Sequence, residues 1–146
     1  MAGVRVPAAW ERIIAERAGG CCEYCRSQEQ FSPQSFSIEH ITPRARGGPT
    51  ALDNLALSCQ GCNGHKATKV SARDPNSDEE VPLFDPRHQR WQDHFAWNED
   101  FTLMIGLTPT GRATVEALRL NRAGVVNLRR ALRRTGQHPP ADVRNQ

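Results

Sequence analysis

The sequence predicts one α+β domain over residues 1–146 with a small hydrophobic core. The length suits one domain rather than two. Short runs of alternating apolar and polar residues predict strands, and longer amphipathic segments near both ends predict helices. Only 38% of the residues are hydrophobic, which is low for a globular domain. We therefore expect an additional cross-link to stabilise the fold.

Charge and hydropathy restrict the class of protein. The sequence has no run of about 18 apolar residues and no basic-then-apolar leader, so neither a membrane span nor secretion is predicted. A cytoplasmic location is the default expectation. The net charge of +3 and the pI near 8.8 suit a phosphate-rich partner without requiring one.

Two strands and two helices are predicted in the first half of the chain. A helix is expected over residues 7–18, with Trp10, Ile13 and Ile14 on one face. Residues 36–41 alternate apolar and polar side chains, which predicts a strand. After a Gly-Gly-Pro turn, a loop leads into a second short strand ending near residue 58, and a polar helix follows.

Four of the five cysteines have the spacing of metal ligands. Cys22 and Cys25 form one Cys-x-x-Cys pair, and Cys59 and Cys62 form another. Four thiolates complete a tetrahedral zinc shell with no open position. Disulfides are disfavoured without an export signal, and a redox pair does not explain two copies. We predict a structural zinc ion on which the fold depends, with Cys21 as a bystander.

A carboxylate, an imidazole and an amide follow one another in the same stretch. Glu39 and Asn63 offer oxygen ligands that suit a hard divalent cation, and His40 is a natural general base beside them. Adjacent strand residues point to opposite faces. Glu39 and His40 therefore share a site only where the backbone twists or the side chains reach round an edge. The structural alternative for Asn63 is a helix N-cap directly after the second Cys-x-x-Cys pair.

The segments EHITPRARGG, LDNLALSC and CNGHK occur in this order, bracketed by the two Cys-x-x-Cys pairs. Over residues 20–69 this pattern resembles the HNH endonuclease family. The resemblance implies a ββα-metal (His-Me) finger around the structural zinc site. It also implies an endonuclease that hydrolyses DNA phosphodiester bonds and leaves 5′-phosphate and 3′-hydroxyl ends. Around this core the sequence predicts an N-terminal helix and a C-terminal strand-helix-helix extension over residues 81–135.

The resemblance assigns roles by position. Glu39 and Asn63 are expected to bind the catalytic cation, Mg²⁺ or Mn²⁺, and His40 is expected to activate water. Asn54 is expected to bond across the loop and help to orient the histidine; its alternative is an ordinary turn residue. Four basic residues beside the motif are predicted to contact DNA phosphates: Arg44, Arg46, His65 and Lys66. For His65 and Lys66 the alternative is an ordinary solvated side chain at the surface.

In the second half of the chain the sequence predicts packing elements rather than catalytic residues. Residues 70–80 are polar and contain proline, which predicts an exposed loop. Aromatic residues predict a second packing cluster, with Trp91 and Phe95 on one helical face. A strand over residues 101–107 leads into a helix that ends near residue 120, with Thr108 predicted as its N-cap and Pro109 in its first turn. The segment that joins these two elements imitates a phosphate-binding loop but lacks its lysine and its hydroxyl.

The last predicted helix spans residues 122–134 and has a strongly basic face that includes Arg129, Arg130 and Arg133. The tail after Gly136 is predicted to be disordered. Three classes of function follow from these patterns: a DNA endonuclease, an inactive zinc-stabilised DNA-binding module, and an interaction domain that uses the basic helix. With one active site per chain, double-strand cleavage requires two nicks or a dimer. No helix-turn-helix or tandem finger is found, so base-specific readout is not predicted.

Overall fold

The computed structural model describes residues 6–141. Within them, helices alternate with three two-stranded antiparallel sheets, which confirms the α+β class. Because the sheets are small, none of them provides the core alone, and helices and loops complete it. The elements in chain order are α1 (Ala8–Arg17), β1 (Ser37–His40), β2 (Leu55–Ser58), α2 (Gln60–Lys66), β3 (Ser71–Arg73), β4 (Glu80–Pro82), α3 (Trp91–His94), β5 (Phe95–Trp97), β6 (Met104–Gly106), α4 (Pro109–Ala117) and α5 (Ala123–Arg134).

Strands β1 and β2 form the hairpin that leads into α2. Glu39 lies opposite Ala56 and His40 opposite Leu55 in this antiparallel pair. Burial in β1 does not follow the alternation of apolar and polar residues, because its buried residue is Glu39 while Ile38 is half-buried. The ββα arrangement implied by the resemblance is confirmed.

Helix α2 begins earlier than the sequence indicated. Cys59 is its N-cap, and the Cys59 Sγ accepts a hydrogen bond from the Cys62 backbone N–H at 3.4 Å. Asn63 therefore lies inside the helix and is not its N-cap. A sulfur acceptor replaces the usual oxygen of a capping residue, which is why the start of this helix is not apparent from the sequence.

Helix α1 packs against the outer face of the β1–β2 hairpin. Ile14 and Ala18 are buried together with Leu55 and Leu57 of β2. Burial of each large aliphatic side chain contributes about 1.5–3 kcal/mol. Ile13, which the sequence predicts on the same face as Ile14, is 44% exposed.

Aromatic side chains build the second core, as predicted. The ring of Phe95 lies 5.1 Å from that of Phe84 and 5.6 Å from that of Trp91, and Trp91 lies 5.5 Å from Trp97. Trp91 and Phe95 do not share a helical face as predicted, because α3 ends at His94 and Phe95 begins β5. The rings meet where the chain turns from one helical turn into a strand.

Residues 70–80 are not a simple exposed loop. They include most of the β3–β4 hairpin, and the turn of that hairpin contains the buried side chain of Asp74. Arg112 of α4 donates to both oxygens of Asp74, from Nε at 2.9 Å and from Nη2 at 3.0 Å. The polar sequence predicts a solvated segment, but this ion pair fastens the hairpin to α4.

Two glycines allow α4 to approach the β5–β6 hairpin. A Cβ on Gly111 would lie 2.1 Å from the His94 carbonyl oxygen, and one on Gly106 would lie 2.4 Å from the Arg112 backbone nitrogen. Thr108 caps α4 by accepting from the Gly111 N–H at 3.0 Å, as predicted. The apparent phosphate-binding loop is thus a close helix–hairpin packing.

Helix α5 is less basic on its exposed side than its sequence suggests. Arg129 is buried and donates to the carbonyl oxygens of Thr102, Cys25 and Leu120 at 2.8–3.1 Å. Burial lowers the pKa of Arg129 to about 10, so the guanidinium stays charged at neutral pH. The side chain of Arg133 stacks on a ring of the β5–β6 loop.

The start of the tail is packed against the domain. The buried ring of His138 lies 4.7 Å from that of Trp97, and its Nε2 lies 2.8 Å from the Phe101 carbonyl oxygen. The prediction that the chain is disordered directly after Gly136 was therefore wrong for His138. Residues 142–146 of the predicted tail lie outside the described residues. Across residues 6–141, no helix has both the length and the apolar character needed to cross a bilayer.

Candidate metal centre and catalytic cleft

The four cysteines predicted to bind zinc come together in the structure. The sulfurs of Cys22, Cys25, Cys59 and Cys62 all lie within 4.8 Å of one another, and all four residues are buried. The Cys25 and Cys59 sulfurs are 3.6 Å apart. Two sulfurs bound to one tetrahedral zinc at 2.3 Å would lie about 3.8 Å apart. The donor set therefore fits a zinc ion with no position left open.

Two segments bring the sulfurs together. One pair lies in the turn after α1, and the other pair lies at the start of α2. The backbone N–H of Glu23 donates to the Leu57 carbonyl oxygen at 2.9 Å, and the Leu57 N–H donates to the Glu23 carboxylate at 3.0 Å. Arg87 forms an ion pair with the same buried carboxylate. These contacts hold the first cysteine turn against β2.

A surface cleft of about 360 Å³ lies between β1 and α2. Glu39 and His40 line it from the end of β1, and Asn63 lines it from α2. Because β1 ends at this point, both neighbouring side chains reach the cleft although they differ in burial. The structure therefore brings together the carboxylate, the imidazole and the amide that the sequence singled out.

Glu39 is the most enclosed member of this group. Its Oε1 accepts a hydrogen bond from the Tyr24 hydroxyl, and its Oε2 lies 3.5 Å from the Lys66 Nζ. Burial raises the pKa of Glu39, against the opposing effects of the Lys66 charge and the Tyr24 hydroxyl. The carboxylate has further lone pairs that a divalent cation in the cleft could use.

His40 is half-buried and has one ring nitrogen engaged. Its Nε2 lies 2.8 Å from the Thr50 Oγ1. Burial lowers the pKa of His40, and the charges of Arg44 and Lys66 lower it further. A neutral imidazole at neutral pH suits a general base. Thr50 was missed by sequence analysis, because only the folded loop brings it from the Gly-Gly-Pro-Thr turn to the histidine.

Asn54 fastens the loop that follows β1. Its Oδ1 accepts from the Thr42 N–H at 2.9 Å, and its Nδ2 donates to the carbonyl oxygens of Thr42 and Pro49 at 3.0 and 2.8 Å. A Cβ on Gly48 would lie 1.7 Å from the Thr42 carbonyl oxygen, so the close approach requires glycine. The side-chain amide bonds across the loop as expected, and it fixes the turn that leads to Thr50.

The segment that forms the cleft matches a known protein family. A family model described as HNH endonuclease matches residues 22–69. This segment contains all four clustered cysteines, both strands of the first hairpin and α2. The chain contains an HNH domain.

Curated relatives of the chain share a local similarity with it. The mouse and human proteins named F-box only protein 41 are each 32% identical to this chain over 60 residues, which is 40% of this chain. The chain spans 7% of the length of these curated relatives. No solved structure matches the chain.

The basic residues within the HNH segment differ in accessibility. Arg44 and Arg46 are exposed in the loop after β1, and the Arg46 Nε donates to the Thr68 carbonyl oxygen at 2.6 Å. His65 is half-buried on α2. Slight burial lowers the pKa of His65, and nearby arginines lower it further. Arg44 also lines the cleft beside the site residues.

Lys66 does not fit the predicted phosphate contact. It is 1% exposed, and its Nζ donates to the Ile41 carbonyl oxygen at 2.8 Å while pairing with Glu39. A buried ammonium held in this way does not reach a phosphate at the surface. The prediction that Lys66 contacts a DNA phosphate was therefore wrong. The side chain is buried beside Glu39 instead.

Proposed function

We propose that this chain is a metal-dependent endonuclease that hydrolyses DNA phosphodiester bonds. The observation that carries the proposal is the cleft in which Glu39, His40 and Asn63 meet. The HNH family match over residues 22–69 supports the same activity. The four-cysteine site is closed by its own ligands, so its role in the proposal is structural.

Glu39 and Asn63 would hold the catalytic cation, Mg²⁺ or Mn²⁺, through a carboxylate oxygen and an amide oxygen. When bound, the cation neutralises charge on the phosphate and on the leaving oxygen. These two ligands lie on different elements, β1 and α2. Their separation is fixed by the zinc-linked hairpin and helix, which suits a site whose geometry must be held before substrate arrives.

His40 would take a proton from water at Nδ1, since Thr50 faces Nε2. The water oxygen then bonds to phosphorus, the P–O3′ bond breaks, and the departing oxygen receives a proton to become the 3′-hydroxyl. A positioned base of this kind is worth about 10²–10⁴-fold in rate. Asn54 supports the step by holding the loop that contains Thr50.

DNA binding would use basic side chains of the loop after β1 and of α2. Arg44 lines the cleft, Arg46 is exposed in the same loop, and the half-buried His65 lies on α2, so these three are the proposed phosphate contacts. Double-strand cleavage by one active site per chain requires two nicks or a dimer. A cytoplasmic location remains part of the proposal, since four thiolate ligands must stay reduced to bind zinc.

The second candidate is an inactive zinc-stabilised DNA-binding module. The observation that favours it is the enclosure of Glu39, whose two oxygens already have Tyr24 and Lys66 as partners. Such a module would bind DNA in a salt-sensitive way without changing its topology.

Supercoiled-plasmid cleavage separates the two candidates. Zinc-loaded wild type is incubated with Mg²⁺, with Mn²⁺ and with EDTA, alongside His40→Ala. We expect metal-dependent nicking that falls about 10²–10⁴-fold in the variant. His88→Ala is the matched control, because it removes an exposed imidazole that pairs with Asp85 outside the catalytic cleft. Folded, zinc-loaded wild type that leaves the plasmid intact would overturn the nuclease, and salt-sensitive binding of that plasmid would then establish the inactive module.

A further inference from the structure

One side chain connects the zinc site with the catalytic cleft. Tyr24 lies between Cys22 and Cys25 in the first cysteine pair, and its ring is buried. Its hydroxyl donates a hydrogen bond to the Oε1 of Glu39. The tyrosine therefore starts in the zinc-binding turn and ends on the carboxylate that lines the cleft.

The position of Tyr24 is fixed from both sides along the chain. It lies between Cys22 and Cys25, two of the four clustered cysteines. Glu23, directly before it, is bonded through its backbone and its side chain to Leu57 of β2. Arg26 continues the turn, with its N–H donating to the Cys22 carbonyl oxygen at 3.0 Å. These contacts restrict the position of the Tyr24 ring, so its hydroxyl meets the Glu39 carboxylate in one arrangement.

Glu39 needs such a partner because its other contact is long. The Lys66 Nζ lies 3.5 Å from Oε2 and donates its closer hydrogen bond, at 2.8 Å, to the Ile41 carbonyl oxygen. Lys66 thus supplies charge near the carboxylate without fixing its rotation. The hydroxyl of Tyr24 is the directional contact.

We propose that Tyr24 is a positioning residue for Glu39, and that it couples the structural zinc to the site for the catalytic cation. The inference rests on the proposed function, since it requires Glu39 to bind that cation. Hydrogen-bonding partners of a ligating carboxylate fix its orientation, and their loss typically costs 10–100-fold in metal affinity or activity. The zinc site then has a second effect besides stability, because it sets the geometry of a ligand in the cleft.

Tyr24→Phe isolates the hydroxyl, because it keeps the buried ring. The affinity for Mn²⁺ is measured by electron paramagnetic resonance on zinc-loaded protein without DNA. We expect the dissociation constant for Mn²⁺ to rise about 10-fold or more, while zinc content is unchanged. In plasmid cleavage, higher Mn²⁺ should restore part of the lost rate, which a general loss of folding would not allow.

The matched control is Thr114→Val. Thr114 is buried in α4, and its hydroxyl donates to the Thr110 carbonyl oxygen at 2.7 Å and accepts from the Phe84 N–H at 2.9 Å. This variant also loses a buried hydroxyl, but it lies outside the cleft. We expect lower stability with an unchanged dissociation constant for Mn²⁺. Equal changes in both variants would mean that the effect on metal affinity comes from stability alone.

A second measurement uses the wild-type protein. Tyr24 is the only tyrosine in the chain, so tyrosine labelled with ¹³C at Cζ gives one resonance. We expect Mg²⁺ to shift this resonance, because cation binding changes the carboxylate that the hydroxyl contacts. If Tyr24→Phe does not fold, this measurement on the wild type tests the inference instead. A resonance that does not respond to saturating Mg²⁺ overturns the inference.

The outcomes separate the inference from the proposed function. Wild type that binds Mn²⁺ and nicks DNA, together with a Tyr24→Phe variant of equal Mn²⁺ affinity, overturns the inference and leaves the nuclease intact. Wild type that neither binds Mn²⁺ nor nicks DNA overturns both. Weaker Mn²⁺ binding in Tyr24→Phe, with normal binding in Thr114→Val, supports the coupling.

Discussion

The guanidinium of Arg122 lies against two of the clustered sulfurs. Its Nη2 is 3.3 Å from the Cys59 Sγ, and its Nη1 is 3.6 Å from the Cys62 Sγ. Burial alone would lower the pKa of Arg122, but attraction to the cysteine sulfurs outweighs it and the net shift is upward. A Cβ on Gly61 would lie 2.5 Å from the same guanidinium. The connection between α4 and α5 thus places a positive charge against the four-cysteine cluster.

Arg122→Leu should weaken zinc binding. A zinc ion with four thiolates carries a net negative charge, and Arg122 both offsets that charge and donates to the sulfurs. We expect zinc affinity to fall about 10–100-fold, measured by competition with a chromophoric chelator. Arg130→Leu removes an exposed arginine of α5 and should leave the affinity unchanged. Equal affinities in wild type and Arg122→Leu would contradict the role of Arg122.

The pH dependence of cleavage should report His40. Burial lowers its pKa, and a base must be neutral to accept a proton. Activity should therefore rise with pH through a midpoint below the ordinary histidine value of about 6.5 and level off near neutrality. The measurement is kcat/KM for nicking against pH at saturating Mg²⁺. An acidic limb with its midpoint above pH 7 would exclude a neutral, half-buried His40 as the base.

The ion pair between Asp74 and Arg112 should stabilise the β3–β4 hairpin against α4. Interaction with the Arg112 guanidinium holds the pKa of Asp74 well below its usual range. We expect Asp74→Asn and Arg112→Gln each to lower the urea midpoint, because each leaves a partner without its counter-charge. The double variant should cost less than the sum of the two single variants. Additive effects in the cycle would show that the two side chains do not interact.

Leu55→Ala should destabilise the contact between α1 and β2. Leu55 is 0% exposed, and truncation of a buried leucine costs about 2–5 kcal/mol through lost burial and a residual cavity. Urea unfolding of zinc-loaded protein measures this loss of unfolding free energy. Leu107→Ala is the control, since Leu107 is 51% exposed. A similar midpoint for the two variants would mean that α1 contributes little to the domain.

Local chemistry made several elements predictable. Thr108 and Pro109 mark the start of α4 because a hydroxyl acceptor and a fixed φ suit a helix N-terminus. The two Cys-x-x-Cys pairs predicted one metal site because ligand spacing is a property of the chain itself. The α+β class and the family resemblance followed from the same local patterns.

Other features depend on residues far apart in the chain. Arg129 was expected on a basic surface, yet it is buried because carbonyl oxygens from three separate segments accept its hydrogen bonds. Asp74 was expected in a solvated loop, but Arg112 pairs with it. A charged residue is solvated by default, and only the folded chain can supply the partners that make its burial favourable.

By itself, the sequence determined the four-cysteine cluster and the ββα order, and it singled out three residues that line one cleft, Glu39, His40 and Asn63, because residue type and spacing carry that information. The tertiary structure alone decided that Tyr24 and Lys66 contact Glu39, that Thr50 contacts His40, and that Arg122 contacts the sulfurs. The physical reason is the range of the interactions. Ligand spacing acts within a few residues, whereas these hydrogen bonds and ion pairs form only after the zinc-linked segments have packed together.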